Sequence, residues 1–504
     1  MRNRLQTVRV VLSILGSLFL FLGAFLLIPL VVAVIFRETD RGIVLVFVVP
    51  SSLAFSLGIL FRAVFPRQAP NNIQATLACS LGWLVFSAVG GLPFTLALSE
   101  TYLNSFFEAM SGFTTTGITM FTGLDDMPRS VVFWRSLTQW IGGLGILTLF
   151  LAVIRPGVSA HRLFGAESHK MTVGRPAPGV AHTIRILWII YAGFTAFIFL
   201  ALVASKVSWF DSICHSFTAL STGGFSPYDA SIEHFRIIGH PHFILIEYIL
   251  ITGMLMGGTS FLVHYRVLKG NWRALFDNIE MKFWWGFIVS FVGLVFAERF
   301  LKTASLGGFS SGGVHLLREV EQGVRNVGFQ VVSIITTTGF ATKDIAGGYF
   351  GPVAKQLFLV MMVIGGCVGS TGGGIKVLRV GVLFKLILRE VFRLRTPPKT
   401  VARIVVDGES VESNEVYRTS ALFFTWIVLL VVGGLVTALL SRQGAYESFS
   451  GMFSALGNIG PCYIPVDEMG RLHSLIKVTY IFGMLAGRLE ILPVLLIFSR
   501  RAWR

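Results

Sequence analysis

The sequence is poor in charge, in cysteine and in the motifs that mark soluble enzymes. Only 13% of its 504 residues are charged, whereas a soluble domain carries roughly 25%. Its four cysteines show no spacing typical of a metal site or a disulfide framework. They are Cys79, Cys214, Cys367 and Cys462. No HExxH motif or P-loop is present. We therefore expect neither a soluble fold nor an organic cofactor, and we predict no enzymatic activity.

Long apolar runs fill most of the chain instead. Hydrophobic residues make up 54% of the sequence, and the mean hydropathy is +0.73. A membrane-spanning helix needs about 20 apolar residues, and the N-terminal run is too long for a removable signal peptide. Ten candidate spans follow, near residues 9–36, 43–61, 73–98, 130–154, 184–205, 243–265, 282–301, 353–388, 417–440 and 472–498. The sequence predicts a polytopic helical membrane protein.

The placement of basic residues in loops on one side of the membrane explains the net charge of +16. Basic residues concentrate in alternate loops, and basic residues favour the cytoplasmic side of a membrane. The basic loops include Arg62, Arg155, Arg162, Arg266, Lys269, residues 376–403 and Arg500. The opposite loops carry Glu38, Asp125, Asp229 and Asp467. We expect an inner (plasma) membrane protein with both termini cytoplasmic and no nucleic-acid partner. Residues 385–403 are also suited to contact anionic membrane lipid.

Four short polar segments interrupt this pattern on the predicted outer side. They read FTTTGIT (113–119), LSTGGFS (220–226), ITTTGFAT (335–342) and LGNIGPC (456–462). Each follows an apolar stretch of about a dozen residues, which is too short to span a membrane. Aligned on Gly117, Gly223, Gly339 and Gly460, the segments recur every 106 to 121 residues. A repeat of this kind implies related units packed about one axis.

The predicted fold is an all-α polytopic membrane protein with ten transmembrane helices. Four pseudo-symmetric helix–pore-loop–helix repeats surround one ion pore, and two extra helices precede them. We place an N-terminal helix pair at 1–70 and the four repeats at 71–156, 157–267, 268–396 and 397–504.

The four polar segments are candidate cation sites. Irregular backbone inside a membrane is tolerated where protein or a water-filled cavity satisfies its polar groups, and a ring of carbonyl oxygens can replace the hydration shell of a monovalent cation. Glycine allows the chain to approach the ion, and threonine adds hydroxyl oxygens. The candidate residues are Thr115, Thr116, Gly117, Ser221, Thr222, Gly223, Thr337, Thr338, Gly339, Asn458, Ile459 and Gly460.

A glycine-rich stretch in the eighth span, GGCVGSTGGGIK (365–376), is poorly suited to a helix. We interpret 365–374 as a flexible intramembrane gate below the polar segments; the alternative is a passive, kinked helix. The candidate gating residues are Gly365, Gly366, Gly369, Ser370, Thr371, Gly372, Gly373, Gly374, Lys376 and Arg488. Arg488 is an intramembrane charge, which usually faces a cavity or a partner; the alternative is a structural clamp with Glu490 or with another helix.

Five further polar positions are candidates for supporting roles. Arg135 and Gln139 share a helix face, and we expect them to bond to the backs of the polar segments. Glu108 and Asp211 either lower the outer potential for cations or stabilise helix N-termini. Glu247 is intramembrane, and the sequence gives it no partner.

The chain resembles the Trk/Ktr/HKT potassium transporter superfamily, and its TrkH branch in particular. The resemblance covers almost the whole chain. It includes FWRSLTQWIGGLGI (133–146), LFGAES (163–168), GNWRALFDN (270–278), QVVSIITTTGFATKD (330–344), GSTGGGIKVLR (369–379) and LGNIGP (456–461).

The resemblance implies potassium uptake through a pseudo-fourfold pore in a homodimer, with K⁺ as the transported ion. It also implies a gate loop in the third repeat, an arginine in the last helix, and a separate cytosolic nucleotide-binding (TrkA-like) regulatory subunit. In relatives, serine at the first filter position accompanies sodium passage, so Gly117 favours potassium.

Two other functions stay open. A sodium-dependent Ktr-type or sodium-conducting transporter would share the fold, and a membrane scaffold would conduct nothing. The sequence also leaves open whether transport is passive or coupled to H⁺ or Na⁺.

Overall fold

Two long helices form the N-terminal part of the chain. The computed structural model describes residues 2–38, 40–65, 68–145, 180–305, 313–397, 400 and 402–503. Helix α1 (Arg2–Leu26) continues after a break as α2 (Ile28–Ile35), and α3 (Arg41–Val64) runs back along α1. Small residues bring α1 and α3 together, since a Cβ atom on Gly16 would lie 2.8 Å from the Cβ atom of Phe61. The two helices therefore form one antiparallel pair.

The next two groups of helices share one order: a long helix, a short helix of 12 residues and a second long or broken helix. In the first group these are α4 (Asn72–Gly90) with its continuation α5 (Leu92–Leu98), then α6 (Tyr102–Phe113) and α7 (Arg129–Gly143). In the second they are α8 (Val180–Ala204), α9 (Trp209–Leu220), the short α10 (Glu233–Ile237), α11 (Phe243–Gly258) and α12 (Phe261–Leu268). Thr101 and Ser208 cap the short helices α6 and α9, as expected at helix N-termini.

The remaining helices follow a similar order with longer members. The third group holds α13 (Ile279–Ser305), α14 (Gly313–Ile335), α15 (Pro352–Met361) and α16 (Val377–Arg393). The fourth holds α17 (Ser413–Leu440), α18 (Ala445–Gly457), α19 (Val466–Met469), α20 (Ser474–Arg488) and α21 (Leu492–Phe498). A hairpin, β1 (Val405–Val406) and β2 (Glu409–Ser410), joins the two groups. Its turn residues Asp407 and Gly408 both have positive φ, as two-residue hairpins require.

The helices fit a membrane protein. Within the described residues, six are long and apolar enough to span, namely Arg4–Ile35, Arg41–Val64, Asn72–Leu98, His182–Ala204, Ile279–Lys302 and Ser413–Leu440. Helices α11 and α12 form a further apolar pair bent by 105°. Of the predicted span 130–154, residues 146–154 lie outside the described part of the chain, as does LFGAES. Ten spans remain a prediction.

One sequence expectation is confirmed and one needs correction. The predicted break at the glycine-rich stretch of span 353–388 is present, because α15 ends at Met361 and residues 362–376 are non-helical before α16 begins. Its glycines disfavour a helix, and backbone groups of the loop bond instead to neighbouring helices. The helix before the third polar segment has 23 residues rather than about a dozen. Polar residues such as His315, Arg318 and Glu319 interrupt the apolar pattern, so hydropathy did not indicate where this helix starts.

The helices that flank the four polar segments pack in a closed circuit. Helix α6 packs against α7, α7 against α9, α9 against α11, and α11 against α14. The circuit continues from α14 to α15 and from α18 through α20 back to α6. Between α15 and the chain after α18, the Tyr463 hydroxyl donates to the Lys355 carbonyl at 2.6 Å. The polar segments lie at the centre of this circuit.

Candidate ion-binding site

The four polar segments begin with the same backbone turn. We call residues 114–117, 221–224, 336–339 and 457–460 the four loop segments. The second residue of each has left-handed backbone: φ is 53° at Thr115, 53° at Thr222, 58° at Thr337 and 53° at Asn458. The N–H of the third residue of each segment donates to the carbonyl oxygen five residues earlier. These bonds join Thr116 to Ser111 (2.8 Å), Gly223 to Thr218 (2.9 Å), Thr338 to Ser333 (2.8 Å) and Ile459 to Ser454 (3.1 Å). This is the Schellman type of helix end.

The repeated turn corrects the alignment of the second segment. The last residue of each loop segment is a glycine with positive φ: 84° at Gly117, 76° at Gly224, 89° at Gly339 and 107° at Gly460. The sequence alignment that matched Gly223 to Gly117 is therefore wrong by one residue. Thr222, Gly223 and Gly224 correspond to Thr115, Thr116 and Gly117, and Ser221 corresponds to Thr114. Two adjacent glycines made the two alignments indistinguishable from sequence.

Each loop segment contacts the next, and the fourth contacts the first. A Cβ atom on Gly117 would overlap the carbonyl oxygen of Gly223. The same relation holds between Gly224 and the Thr338 carbonyl oxygen and between Gly339 and the Ile459 carbonyl oxygen. A Cβ atom on Gly460 would lie 3.1 Å from the Thr116 carbonyl oxygen. The segments thus form a ring in which one carbonyl of each segment lies against the glycine of its neighbour, a place no side chain can share.

The side chains of the four non-glycine residues with positive φ bond to the elements around the ring or to a neighbouring segment. The Thr115 hydroxyl accepts from Arg488 at 3.0 Å, and the Thr222 hydroxyl donates to Thr371 at 3.1 Å. The Thr337 hydroxyl accepts from the Gly373 N–H at 2.7 Å. In the fourth segment, the Asn458 amide donates to the Thr116 hydroxyl at 2.9 Å. Left-handed backbone is costly for β-branched residues, so these contacts help to hold a strained turn.

A buried network supports the second loop segment from behind. The Gln139 amide donates to the Gly223 carbonyl at 2.6 Å and accepts from the Phe225 N–H at 3.0 Å. Arg135 donates to the Ser226 carbonyl at 2.9 Å and lies 3.6 Å from the centre of the Phe225 ring. The expectation that Gln139 and Arg135 bond to the backs of the polar segments is confirmed for the segment at 220–226.

The two carboxylates on the short helices α6 and α9 have structural partners. Glu108 pairs with Arg135 at 2.6 Å and accepts from the Met120 N–H at 2.8 Å. Asp211 accepts from the Ser208 hydroxyl at 2.7 Å in the first turn of α9, so helix stabilisation accounts for it. Sequence reasoning missed the partner of Glu247, which is Arg325 on α14. The sequence placed Glu247 in a predicted span but assigned no span to Arg325, so it gave no signal that joined the two charges.

The glycine-rich loop lies directly against the ring. Its neck is closed by a parallel bridge between Ile364 and Ile375. The Thr371 hydroxyl donates to the Leu220 carbonyl at the end of α9 at 3.0 Å, and a Cβ atom on Gly373 would lie 2.6 Å from that of Asn458. Lys376 donates to the Gly372 carbonyl within the loop. These contacts place residues 371–373 next to three loop segments.

Arg488 joins three elements at the same level. Its guanidinium donates to the carbonyls of Thr371, Gly142 and Gly143, each at 2.6 Å, besides the Thr115 hydroxyl. Glu490 forms an ion pair with Arg379 at 2.6 Å. Of the predicted gating residues, Thr371, Gly372, Gly373, Lys376 and Arg488 come together here. Gly365 and Gly366 line the loop neck, where a Cβ atom on Gly365 would overlap the Gly373 carbonyl, and Gly374 packs on Gly365. Gly369 and Ser370 lie farther along the loop, near Ser260 and Gly366.

Fold and site together define a class of protein. It is a helical membrane protein in which four equivalent backbone turns meet in a ring above a glycine-rich loop. Such rings of carbonyl groups are typical of cation-conducting proteins. Residues 52–503 match the family model described as TrkH, cation transport protein, and the chain belongs to this family.

The relatives match along almost their full length. The chain is 31% identical to the Trk system potassium uptake protein TrkH of Halomonas elongata, covering 99% of this chain and 100% of the relative. It is 32% identical to the protein of the same name from Escherichia coli K12, covering 98% and 99%. The crystal structure of the potassium transporter TrkH from Vibrio parahaemolyticus superposes with a TM-score of 0.83 at 28% identity, covering 99% and 100%.

Proposed function

We propose that this chain takes up potassium across the inner membrane and is its ion-conducting subunit. The observation that carries the proposal is the ring of four equivalent turns, each presenting a carbonyl at the glycine of the preceding segment around the ring. Relatives named as potassium uptake proteins over the whole length support the choice of ion. K⁺ is then the transported ion and no organic cofactor is needed.

The potassium site is proposed to be the ring itself. Backbone and hydroxyl oxygens of the predicted residues, extended by Gly224, would replace the water that K⁺ sheds on entry. The helix ends that precede the ring carry partial negative charge and favour a cation. Gln139 contributes by fixing the direction of the Gly223 carbonyl, which is the counterpart of the Thr116 carbonyl in the first segment.

The gate is proposed to be the loop 365–374 with Lys376 and Arg488. The contacts of Thr371 and Gly373 with the loop segments leave little room beneath the ring, which is what a closed gate requires. Arg488 adds a positive charge beside the path, and a positive charge there opposes cation passage. Opening would require residues 371–373 to leave the ring and Arg488 to release the Thr371 carbonyl.

The larger architecture follows from the same proposal. We propose ten spans, with a helix pair at 1–70 and four repeats at 71–156, 157–267, 268–396 and 397–504 around one pore. Both termini are cytoplasmic in this arrangement. A homodimer, a TrkA-like cytosolic nucleotide-binding subunit and membrane lipid are the proposed partners. The Trk system named for the relatives supports a multi-subunit assembly.

Two experiments test potassium uptake. Expression in a host that lacks potassium uptake should restore growth at low K⁺, which a non-conducting scaffold would not do. Purified protein in liposomes should then move ⁸⁶Rb⁺ or ⁴²K⁺ under imposed K⁺, Na⁺ and H⁺ gradients applied one at a time. Flux of ²²Na⁺ in preference to K⁺ would favour the sodium-conducting alternative. Absence of any cation flux in both assays contradicts the proposal.

A further inference from the structure

Helix α13 begins beside the glycine-rich loop and carries a buried carboxylate there. Glu280, the second residue of α13, is 8% exposed. Its carboxylate accepts the Val368 N–H of the loop at 2.7 Å. Helix α13 also packs against α16, the helix that follows the loop. One carboxylate on α13 thus holds the loop beside the helix that follows it.

Near its C-terminal end, α13 also binds the start of α15, the helix that precedes the glycine-rich loop. Glu298 accepts the N–H groups of Val353 and Ala354, at 2.9 and 2.7 Å, in the first turn of α15. Helix α13 therefore binds the chain from α15 to α16 at two points: Glu298 bonds before the loop, and Glu280 bonds within it. Of these two contacts, only that of Glu280 acts on the loop that must move.

The remaining links of the loop to its surroundings include neutral backbone bonds. The Cys367 N–H donates to the Gly258 carbonyl at 2.9 Å, and the Thr371 N–H donates to the Gly257 carbonyl at 3.1 Å. A hydrogen bond to a carboxylate is stronger than one between neutral backbone groups once the carboxylate is deprotonated. The loss of Glu280 therefore weakens the closed position of the loop more than the loss of a neutral bond.

We propose that Glu280 is a positioning residue for gating: its carboxylate latches the loop in the closed position through its hydrogen bond with the Val368 N–H. This inference rests on the proposed function of the loop as a gate. The latch lies next to the cytosolic hairpin, because Asp407 accepts the Ile279 N–H at 2.8 Å. Displacement of the hairpin by a cytosolic partner would move the start of α13, and with it the latch.

The test compares Glu280→Gln with Glu298→Gln in proteoliposomes that contain the full chain alone. A glutamine at position 280 is close in size but replaces the carboxylate acceptor of the Val368 N–H with a neutral amide, which is a weaker acceptor. We expect basal ⁸⁶Rb⁺ uptake to rise by about tenfold, since a hydrogen bond to a charged group is lost from the closed state. Glu298→Gln removes a bond of the same type away from the loop and should leave basal uptake within about twofold of wild type.

Hydrogen exchange gives a second measurement that does not depend on transport. Peptides covering 362–378 should exchange faster in Glu280→Gln, whereas in Glu298→Gln faster exchange should be confined to 352–356. Glu280→Asp, which keeps the charge but withdraws it by one methylene, should also speed exchange at 362–378, and it serves if the glutamine variant does not fold.

The outcomes separate the latch from the proposed function. If wild-type protein transports potassium but the variants at 280 change neither uptake nor exchange at 362–378, the latch is wrong and the proposed function stands. Lower uptake with unchanged exchange at 362–378 also overturns the latch, because it indicates a general structural role. If wild-type protein carries no cation, the proposed function fails, and exchange alone then decides whether Glu280 holds the loop.

Discussion

At the scale of single residues, the site depends on backbone conformations that most side chains avoid. Four non-glycine residues and four glycines alternate at positive φ around the ring. The non-glycine residues use their side chains to bond to the loop, to Arg488 or to a neighbouring segment, while the glycines leave space for carbonyl oxygens. Substitution at these eight positions should therefore change ion selection before it changes the fold.

Gly117→Ser tests the glycine positions. A side chain at Gly117 would overlap the Gly223 carbonyl oxygen, so we expect the ring to widen or distort. The K⁺/Na⁺ flux ratio should fall by about tenfold, which corresponds to about 1.4 kcal/mol of lost discrimination. Gly123→Ser is the matched control, because Gly123 also has positive φ but nothing lies within 4 Å of a Cβ atom there. An equal flux ratio in wild type and Gly117→Ser would refute the filter role.

Gln139→Leu tests support from behind the ring. The substitution removes the donor to the Gly223 carbonyl and leaves that carbonyl free to rotate. We expect a several-fold lower K⁺/Na⁺ flux ratio with the protein still folded, as checked by gel filtration. Ser136→Ala is the control on the same helix, since the Ser136 hydroxyl donates to the Val132 carbonyl within α7. Equal losses of selectivity in both variants would show that α7 packing, rather than the amide, sets the ratio.

At the scale of elements, helix breaks occur at the level of the ring. Helix α11 bends by 105° into α12, α20 gives way to α21 after Arg488, and α15 gives way to the glycine-rich loop. Glycines near these breaks lie against the ends of the short helices: a Cβ atom on Gly142, Gly257 or Gly487 would overlap the carbonyl oxygen of Phe113, Leu220 or Leu456. Residues near these breaks thus pack against the ends of the short helices and support the loop segments from below.

Gly373→Ala tests the fit of the loop beneath the ring. An added methyl group would lie 2.6 Å from the Asn458 Cβ atom and 2.7 Å from the Gly457 carbonyl oxygen, which is closer than van der Waals contact. We expect the loop to be displaced and basal ⁸⁶Rb⁺ uptake to increase several-fold. Gly348→Ala, where a Cβ atom meets nothing within 4 Å, should behave as wild type. Unchanged uptake in a folded Gly373→Ala protein would contradict a closed gate at this position.

The sequence predicted some of these elements and missed others for physical reasons. Hydropathy located the apolar helices, because a long apolar run determines a span by composition alone. The start of α14 escaped because charged residues such as Arg325 and Glu321 satisfy each other, at 2.7 Å, which hydropathy does not register. The second loop segment was misaligned because only backbone angles distinguish Gly223 from Gly224. The Glu280 contacts join residues 88 positions apart, and no local pattern reports them.

At the scale of the whole molecule, the orientation in the membrane is open to direct measurement. In a variant that lacks the four native cysteines, Ile238→Cys and Leu394→Cys add single thiols at exposed positions, 57% and 87% exposed. We expect a membrane-impermeant maleimide to label Ile238→Cys in right-side-out vesicles and Leu394→Cys only in inside-out vesicles. The opposite labelling would invert the proposed topology.

The central claim is that four backbone segments from distant parts of the chain jointly bind one potassium ion. Anomalous diffraction from crystals grown with Tl⁺, a potassium substitute with strong anomalous scattering, tests it most directly. We predict an anomalous peak on the axis of the ring, within coordination distance of oxygens from all four loop segments, which weakens as K⁺ is added. Protein that transports potassium but whose crystals show no peak inside the ring, or a peak bound by one segment alone, would contradict the account.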